Sequence, residues 1–403
     1  TRRDAAFAHA RAMARATTRA RATTRATPRA RSTRVRARRR PAPARARATK
    51  DDFAARDSAG TTTTTTTDDG ARCDCSYAWR GHDVRYERAG RADSAKHVVL
   101  LPGFGVGSFH YDAQLARGAL GDDACVWALD FVGQGRSWPS EAGDVEGFQY
   151  SVDAWREQVE YFLSEVVGER AYLTGNSLGG FVATYVAAMA PELTKGLILV
   201  NATPFWAFVP SDPNAWGSKI APWRGALPAP KWIRTPIKAY WESFRSAANV
   251  RGLLSLVYAN SARIDDTLVR QIIEPTDNVH ALSTFCSVVW SPKAALSFDE
   301  MLNRIPADLP VAMVYGKDDP WVVPLWGQRL KRVIPRADYY ELTPSGHCPA
   351  HETPDAFNCI VKSYLAHRED GAERPTQSSC GTAKLIDGAP RNIFERLDAM
   401  RAA

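Results

Sequence analysis

The sequence predicts an α/β fold, a mostly parallel sheet flanked by helices. Three observations carry it. Continuous apolar runs at His97–Leu101, Gly196–Val200 and Val311–Tyr315 have the pattern of strands buried on both faces. Between runs lie segments with helical spacing, such as Ser151–Val167, whose Val152, Trp155, Val159, Phe162, Leu163 and Val166 share one face. Polar, glycine-rich stretches follow the runs directly, where functional residues collect in open α/β sheets.

The first seventy residues stand apart. The chain has 403 residues and a net charge of +8, but residues 1–50 hold 17 Lys+Arg against one acid, Asp4. The remainder is therefore net acidic, and the basic balance is no argument for nucleic-acid binding by the folded body. Arg, Ala and Thr with hardly any acid and no apolar run make the composition of an organelle transit peptide, expected to be disordered; a basic tail for RNA or an acidic surface is the alternative. Residues 51–71 are a polar linker with seven consecutive threonines, Thr61–Thr67, too poor in apolar surface to order itself. The folded domain is expected over 72–367 and a polar tail over 368–403, with a short helix at Asn392–Met400.

Along the domain, Ser76–Glu87 reads as a strand pair broken at Gly81-His82. His97–Leu101 runs into Pro102-Gly-Phe-Gly-Val-Gly-Ser-Phe109, which lacks the spacing of a dinucleotide fingerprint. A short helix is expected over Tyr111–Leu120 and a strand over Ala124–Leu129, ending at Asp130, which is read as bracing its loop. Gly168 stops the helix of Ser151–Val167. The chain returns to the sheet at Val311–Tyr315, then forms a helix over Pro324–Val333, a strand over Asp338–Leu342 and a closing helix over Pro354–Ala366.

The seven cysteines are irregularly spaced. Cys73-Asp-Cys75 has no second half, so the sequence points to free thiols in a reducing compartment and to neither a metal nor an organic cofactor.

The chemistry centres on Gly175-Asn-Ser-Leu-Gly179, a G-x-S-x-G between the strand at Ala171–Thr174 and a small-residue helix. This is the context of a nucleophile elbow, and it specifies the α/β-hydrolase fold. A turn that tight lifts the Ser177 hydroxyl out of the sheet and leaves the Leu178 N–H free at a helix N-terminus. Downstream, Asp319 and His347 lie in loops directly after strands, giving the hydrolase order Ser, Asp, His. Ser177 is the expected nucleophile, His347 the base and Asp319 the acid that orients it. Asp318 competes with Asp319, and His351 with His347. The second oxyanion donor is expected to be the Phe104 N–H in the glycine loop. Ser rather than Asp at the elbow disfavours carbon–halogen and epoxide hydrolysis.

Residues 202–300 interrupt the β/α alternation after the sixth strand and carry six of the 12 tryptophans: Trp206, Trp216, Trp223, Trp232, Trp241 and Trp290. An insertion there is expected to be a largely helical cap over the site, its aromatics lining a pocket for a bulky apolar ligand.

Several stretches together resemble one family, the pheophytinases (pheophytin pheophorbide hydrolases) of plastids. They are Leu101-Pro-Gly-Phe-Gly-Val-Gly-Ser-Phe-His-Tyr111, Asp130-Phe-Val-Gly-Gln-Gly135, Gly175-Asn-Ser-Leu-Gly-Gly180, Asn201-Ala-Thr-Pro-Phe-Trp206, Gly316-Lys-Asp-Asp-Pro-Trp-Val-Val-Pro-Leu-Trp-Gly327 and Gly346-His-Cys-Pro349. The resemblance implies removal of phytol from pheophytin to give pheophorbide in chlorophyll breakdown, with Ser177 as nucleophile and His347 as histidine. It also implies a chloroplast address, an apolar pigment ester as partner and peripheral contact with the thylakoid membrane. A chlorophyll dephytylase, another plastid lipid or prenyl esterase, and a hydrolase-fold receptor with little turnover are the competing readings.

Overall fold

The computed structural model describes residues 70–138, 150–202, 231–282, 284–285, 294–376 and 382–385, with 231–235 as backbone only. The leader, nearly all of the linker, the first part of the cap and the helix expected at 392–400 lie outside these residues.

Among the described residues the sheet has nine strands: β1 (Cys73–Trp79), β2 (His82–Ala89), β3 (Lys96–Leu101), β4 (Ala124–Leu129), β5 (Ala171–Asn176), β6 (Thr194–Val200), β7 (Val311–Gly316), β8 (Asp338–Leu342) and β9 (Ala383–Leu385). Their order is β1-β2-β4-β3-β5-β6-β7-β8-β9. Strands β3 to β8 run parallel, while β1, β2 and β9 pair antiparallel at the two edges. Every residue of β3, β4, β5 and β7 is buried, as the unbroken apolar runs require.

Strand alternation divides the core in two. Val99, Leu101, Leu173, Leu197, Leu199 and Met313 pack with Trp155, Val159, Phe181 and Met301 of the helices α1 (Val152–Tyr161), α2 (Leu178–Met189) and the later Phe298–Arg304. Val98, Leu100, Tyr172, Ile198, Val200 and Val314 pack with Tyr111, Leu115 and the closing helix through Phe357, Ile360, Val361 and Tyr364. Between β6 and β7 the described chain forms α3 (Lys231–Phe244), α4 (Ala247–Val257) and α5 (Asp266–Ile273), the helical insertion after strand six. The next helix, α6 (Phe298–Arg304), belongs to the core: Phe298 stacks on Phe181 at 5.4 Å. The remaining helices are α7 (Pro324–Val333), α8 (Pro349–Glu352) and α9 (Pro354–Asp370).

Four elements differ from expectation. Tyr111–Leu120 is not an α-helix: a 3-10 turn, Ser108–Tyr111, passes into turns. Gly118 and Gly121 take φ of +71° and +123°, which no helix accommodates, while Leu115 and Leu120 still reach the core. The last turn of the Ser151–Val167 helix is π-helical over Phe162–Val167, ending at Gly168 with φ 74°; Phe162, Leu163 and Val167 all remain buried. Strand β9 comes from the stretch read as a polar tail, and three residues are too few to show a period. Helix α9 also runs past Ala366, anchored to the sheet by Tyr172 Oη donating to Glu369 and by Lys96 to Asp370.

Candidate active site

Ser177 follows β5 with φ 51° and ψ −112°, a strained positive-φ conformation for a residue with a side chain. Its neighbours explain why the turn needs glycine. A Cβ on Gly179 would stand 2.1 Å from the Leu101 carbonyl oxygen, and one on Gly175 2.3 Å from the Gly179 carbonyl carbon. The Ser177 N–H donates to the Val200 carbonyl (2.9 Å), fixing the elbow to the neighbouring strand. Helix α2 then begins at Leu178, so the Leu178 N–H faces outward at the positive end of the helix dipole.

Asp319 follows β7 and His347 follows β8, at the same sheet edge as Ser177. His347 Nδ1 lies 2.7 Å from Asp319 Oδ2. A carboxylate only accepts, so the imidazole carries its proton on Nδ1 and leaves Nε2 as an acceptor. Asp319 is 2% exposed. Burial pushes its carboxyl upward, but the His347 imidazole and the N–H groups of Trp321 and Val322 outweigh that and hold it below the ordinary aspartate value.

The glycine loop lies against Ser177. A Cβ on Gly103 would be 3.7 Å from Ser177 Cβ and 3.4 Å from Asn176 Oδ1. Gln134 accepts the Gly105 N–H at 2.7 Å, holding the loop from outside, and neither Phe104 N–H nor Leu178 N–H has an intramolecular acceptor among the described residues. Asp130 is buried and accepts from Ser108 N–H and Arg136 N–H, so it braces this loop.

The two competitors sit elsewhere. Asp318 accepts from the Thr343 hydroxyl and Ser345 N–H, whereas the imidazole of His347 bonds Asp319. His351 lies in α8, its ring stacked 4.7 Å from that of His110, with Tyr258 Oη between His110 Nε2 (2.7 Å) and His351 Nδ1 (3.2 Å).

Two residues escaped the sequence reading. Asn176 Nδ2 donates to the His347 carbonyl at 2.9 Å, tying the elbow to the histidine loop. Asn201 Nδ2 donates to Asp319 Oδ2 at 2.6 Å, and its Oδ1 accepts the Gly316 N–H at 3.0 Å. Their placement at the carboxyl ends of β5 and β6 is the one signal in the sequence that marks them.

In the insertion, Pro236, Ile237, Tyr240, Trp241, Phe244 and Phe285 line a cavity of about 310 Å³. The Phe104 ring meets Phe285 at 6.0 Å, so the cavity adjoins the loop. Of the six tryptophans in the insertion, the side chain of Trp241 alone is among those described.

Residues 98–358 match the model of the alpha/beta hydrolase family. The chain is 40% identical over 316 residues to a chloroplastic pheophytinase of Arabidopsis thaliana, covering 72% of this chain and 65% of that protein; it thus spans under two thirds of that relative's length. It is 27% identical to a human (lyso)-N-acylphosphatidylethanolamine lipase, covering 66% of this chain and 78% of the lipase. A carboxylesterase of Bacillus subtilis superposes with a TM-score of 0.56 at 18% identity, over 73% of this chain and 92% of the other. Sequence, sheet order and elbow agree, and the chain belongs to the alpha/beta hydrolase family.

Proposed function

We propose that this chain is a serine carboxylic-ester hydrolase that removes phytol from pheophytin, leaving pheophorbide. The observation that carries the reading is the hydrogen-bonded His347–Asp319 pair, tied through Asn176 to the elbow that presents Ser177. The likeness to the Arabidopsis pheophytinase supports the choice of substrate, and the apolar cavity beside Phe104 suits the greasy part of such an ester.

Ser177 Oγ attacks the ester carbonyl while His347 Nε2 takes its proton. Asp319 holds the imidazole's Nδ1–H and stabilises the imidazolium. The N–H groups of Phe104 and Leu178 receive the tetrahedral oxyanion; losing one such donor typically costs about 3–4 kcal/mol of barrier lowering. His347 then protonates the leaving alcohol, phytol. Water, activated by the same imidazole, releases the acid and restores Ser177. The basic leader and the likeness to a chloroplastic pheophytinase support a chloroplast address, and a membrane-resident pigment would be met at the thylakoid surface.

Offering pheophytin and chlorophyll separately to the protein, and following pheophorbide, chlorophyllide and free phytol, tests the reading. Pheophorbide with phytol is the expected product, and Ser177→Ala should lower the rate by at least about 10³-fold. Equal rates on both pigments would reduce the reading to a general prenyl esterase. Tight pigment binding without turnover would replace it with a receptor.

A further inference from the structure

The insertion between β6 and β7 does not merely cover the site. Its segment Val257–Asn260, at the end of α4, is bonded to the loop that carries His347. His347 N–H donates to the Val257 carbonyl at 2.9 Å. Glu352 gathers the rest. It is 2% exposed, and its Oε2 accepts the N–H groups of Ala259 (2.8 Å), Asn260 (3.1 Å) and Gly346 (3.0 Å), while Oε1 accepts that of Cys348 (3.0 Å). Two of these donors belong to the insertion, and the other two flank His347 on either side. The fit is close: a Cβ on Gly346 would lie 2.4 Å from the Val257 carbonyl oxygen. Asn260 Nδ2 and Arg263 Nε add bonds to the carbonyls of Glu352 and His351, and Tyr258 Oη joins His110 to His351.

We infer that Glu352 is a positioning residue for His347, and that through it the seating of the 257–260 segment sets how well the imidazole faces Ser177. The inference rests on the hydrolase reading above. Four backbone N–H groups converge on one buried carboxylate, an arrangement of charge-assisted bonds that a neutral amide cannot reproduce. An amide turns an NH2 toward at least one of the four donors, and the histidine loop or the insertion must shift. The substrate's carbonyl and apolar groups touch neither Glu352 nor its partners in this scheme, so the effect falls on the chemical step.

The test compares the full-length wild type with Glu352→Gln on a short p-nitrophenyl ester, alongside the rate of Ser177 labelling by an alkyl fluorophosphonate. Displacing a catalytic base by a fraction of an ångström to one ångström should lower kcat by about 10–100-fold. KM should move by less than about threefold, and labelling should slow in parallel with kcat. Glu352→Asp, which keeps the charge, should recover part of the loss. Wild-type kcat and labelling in a folded Glu352→Gln protein would overturn the inference, as would a loss confined to KM. Should Glu352→Gln fail to fold, Tyr258→Phe removes one hydroxyl from the same latch, and kcat should fall by about 3–10-fold at constant KM; an unchanged kcat there would equally overturn it. A wild-type protein that the fluorophosphonate leaves unlabelled at Ser177 sinks the hydrolase reading itself, whereas equal labelling of wild type and Glu352→Gln sinks only the latch.

Discussion

Asp319 Oδ2 stands 2.7 Å from His347 Nδ1, while Asp318, its neighbour in the chain, turns to the Thr343 hydroxyl and the Ser345 N–H. Two adjacent carboxylates thus take different partners, one an imidazole and one the groups of a loop. Asp319→Asn should lower kcat by about 10³–10⁴-fold, since an amide favours the wrong tautomer of His347. Asp318→Asn should cost less than about tenfold. Kinetics of both variants on a p-nitrophenyl ester decide the matter: similar losses, or the reverse order, would remove Asp319 from the proposed role.

What the sequence made legible follows from how local each signal is. Strands β3 and β7 announce themselves because burial on both faces demands unbroken apolar runs. The elbow is legible because sterics force Gly175 and Gly179 into fixed places around Ser177. Asn176, Asn201 and Glu352 were not, because each gains its role from at least one partner 93 to 171 residues away. The 3-10 turn at Ser108–Tyr111 and strand β9 were missed for the opposite reason: each is too short for periodicity to speak, and tertiary contacts decide it.

The elbow also predicts stability. Gly179→Ala places a methyl 2.1 Å from the Leu101 carbonyl, a backbone atom held within β3. The sheet cannot yield cheaply, so the substitution should cost about 3 kcal/mol or more. Gly252→Ala, in α4, is the control: nothing lies within 4 Å of its Cβ position. That change should be neutral or stabilise by up to about 1 kcal/mol. Urea unfolding of the two variants should separate them; equal midpoints would mean that the elbow relaxes more readily than its contacts indicate.

The stacked pair His110–His351 sets a pH dependence. Burial, with Arg263 nearby, pushes the His351 imidazole down to about 4, against the attraction of Asp265 and Asp112. His110 is fully enclosed and is pushed down in the same direction, first by burial and then by His351 and His347. Both rings are therefore held neutral in the folded protein and take up protons more readily when it unfolds. Their contribution is complete above the ordinary histidine value of about 6.5 and is lost as pH falls toward 4. For His351 alone the loss by pH 4 is on the order of 3 kcal/mol. Asp319, whose carboxyl is depressed, adds its own loss only below about pH 4. Unfolding free energies measured from pH 7 to pH 4.5 should fall steadily, and His351→Gln should flatten the slope; an unaltered slope would show that the ring is not held neutral.

The cavity beside the glycine loop should separate binding of the apolar group from chemistry at the carbonyl. Trp241 and Phe244 of α3 meet Phe285 at 5.5 and 5.2 Å, and Phe285 meets Phe104 at 6.0 Å, so the rings form a continuous wall from the insertion to the loop. Truncating Trp241 or Phe285 to Ala removes apolar contact with a long chain without touching Ser177, Asp319 or His347. At about 25 cal/mol per Å² of contact, losing roughly 50–60 Å² is worth about 1.4 kcal/mol, or a tenfold fall in kcat/KM for a phytyl ester. The same variants should hydrolyse a p-nitrophenyl acetate within about threefold of wild type, because acetate leaves the cavity empty. A parallel loss on both esters would mean that the ring wall supports the fold of the site, and an unchanged rate on both would place the chain of the substrate outside this cavity.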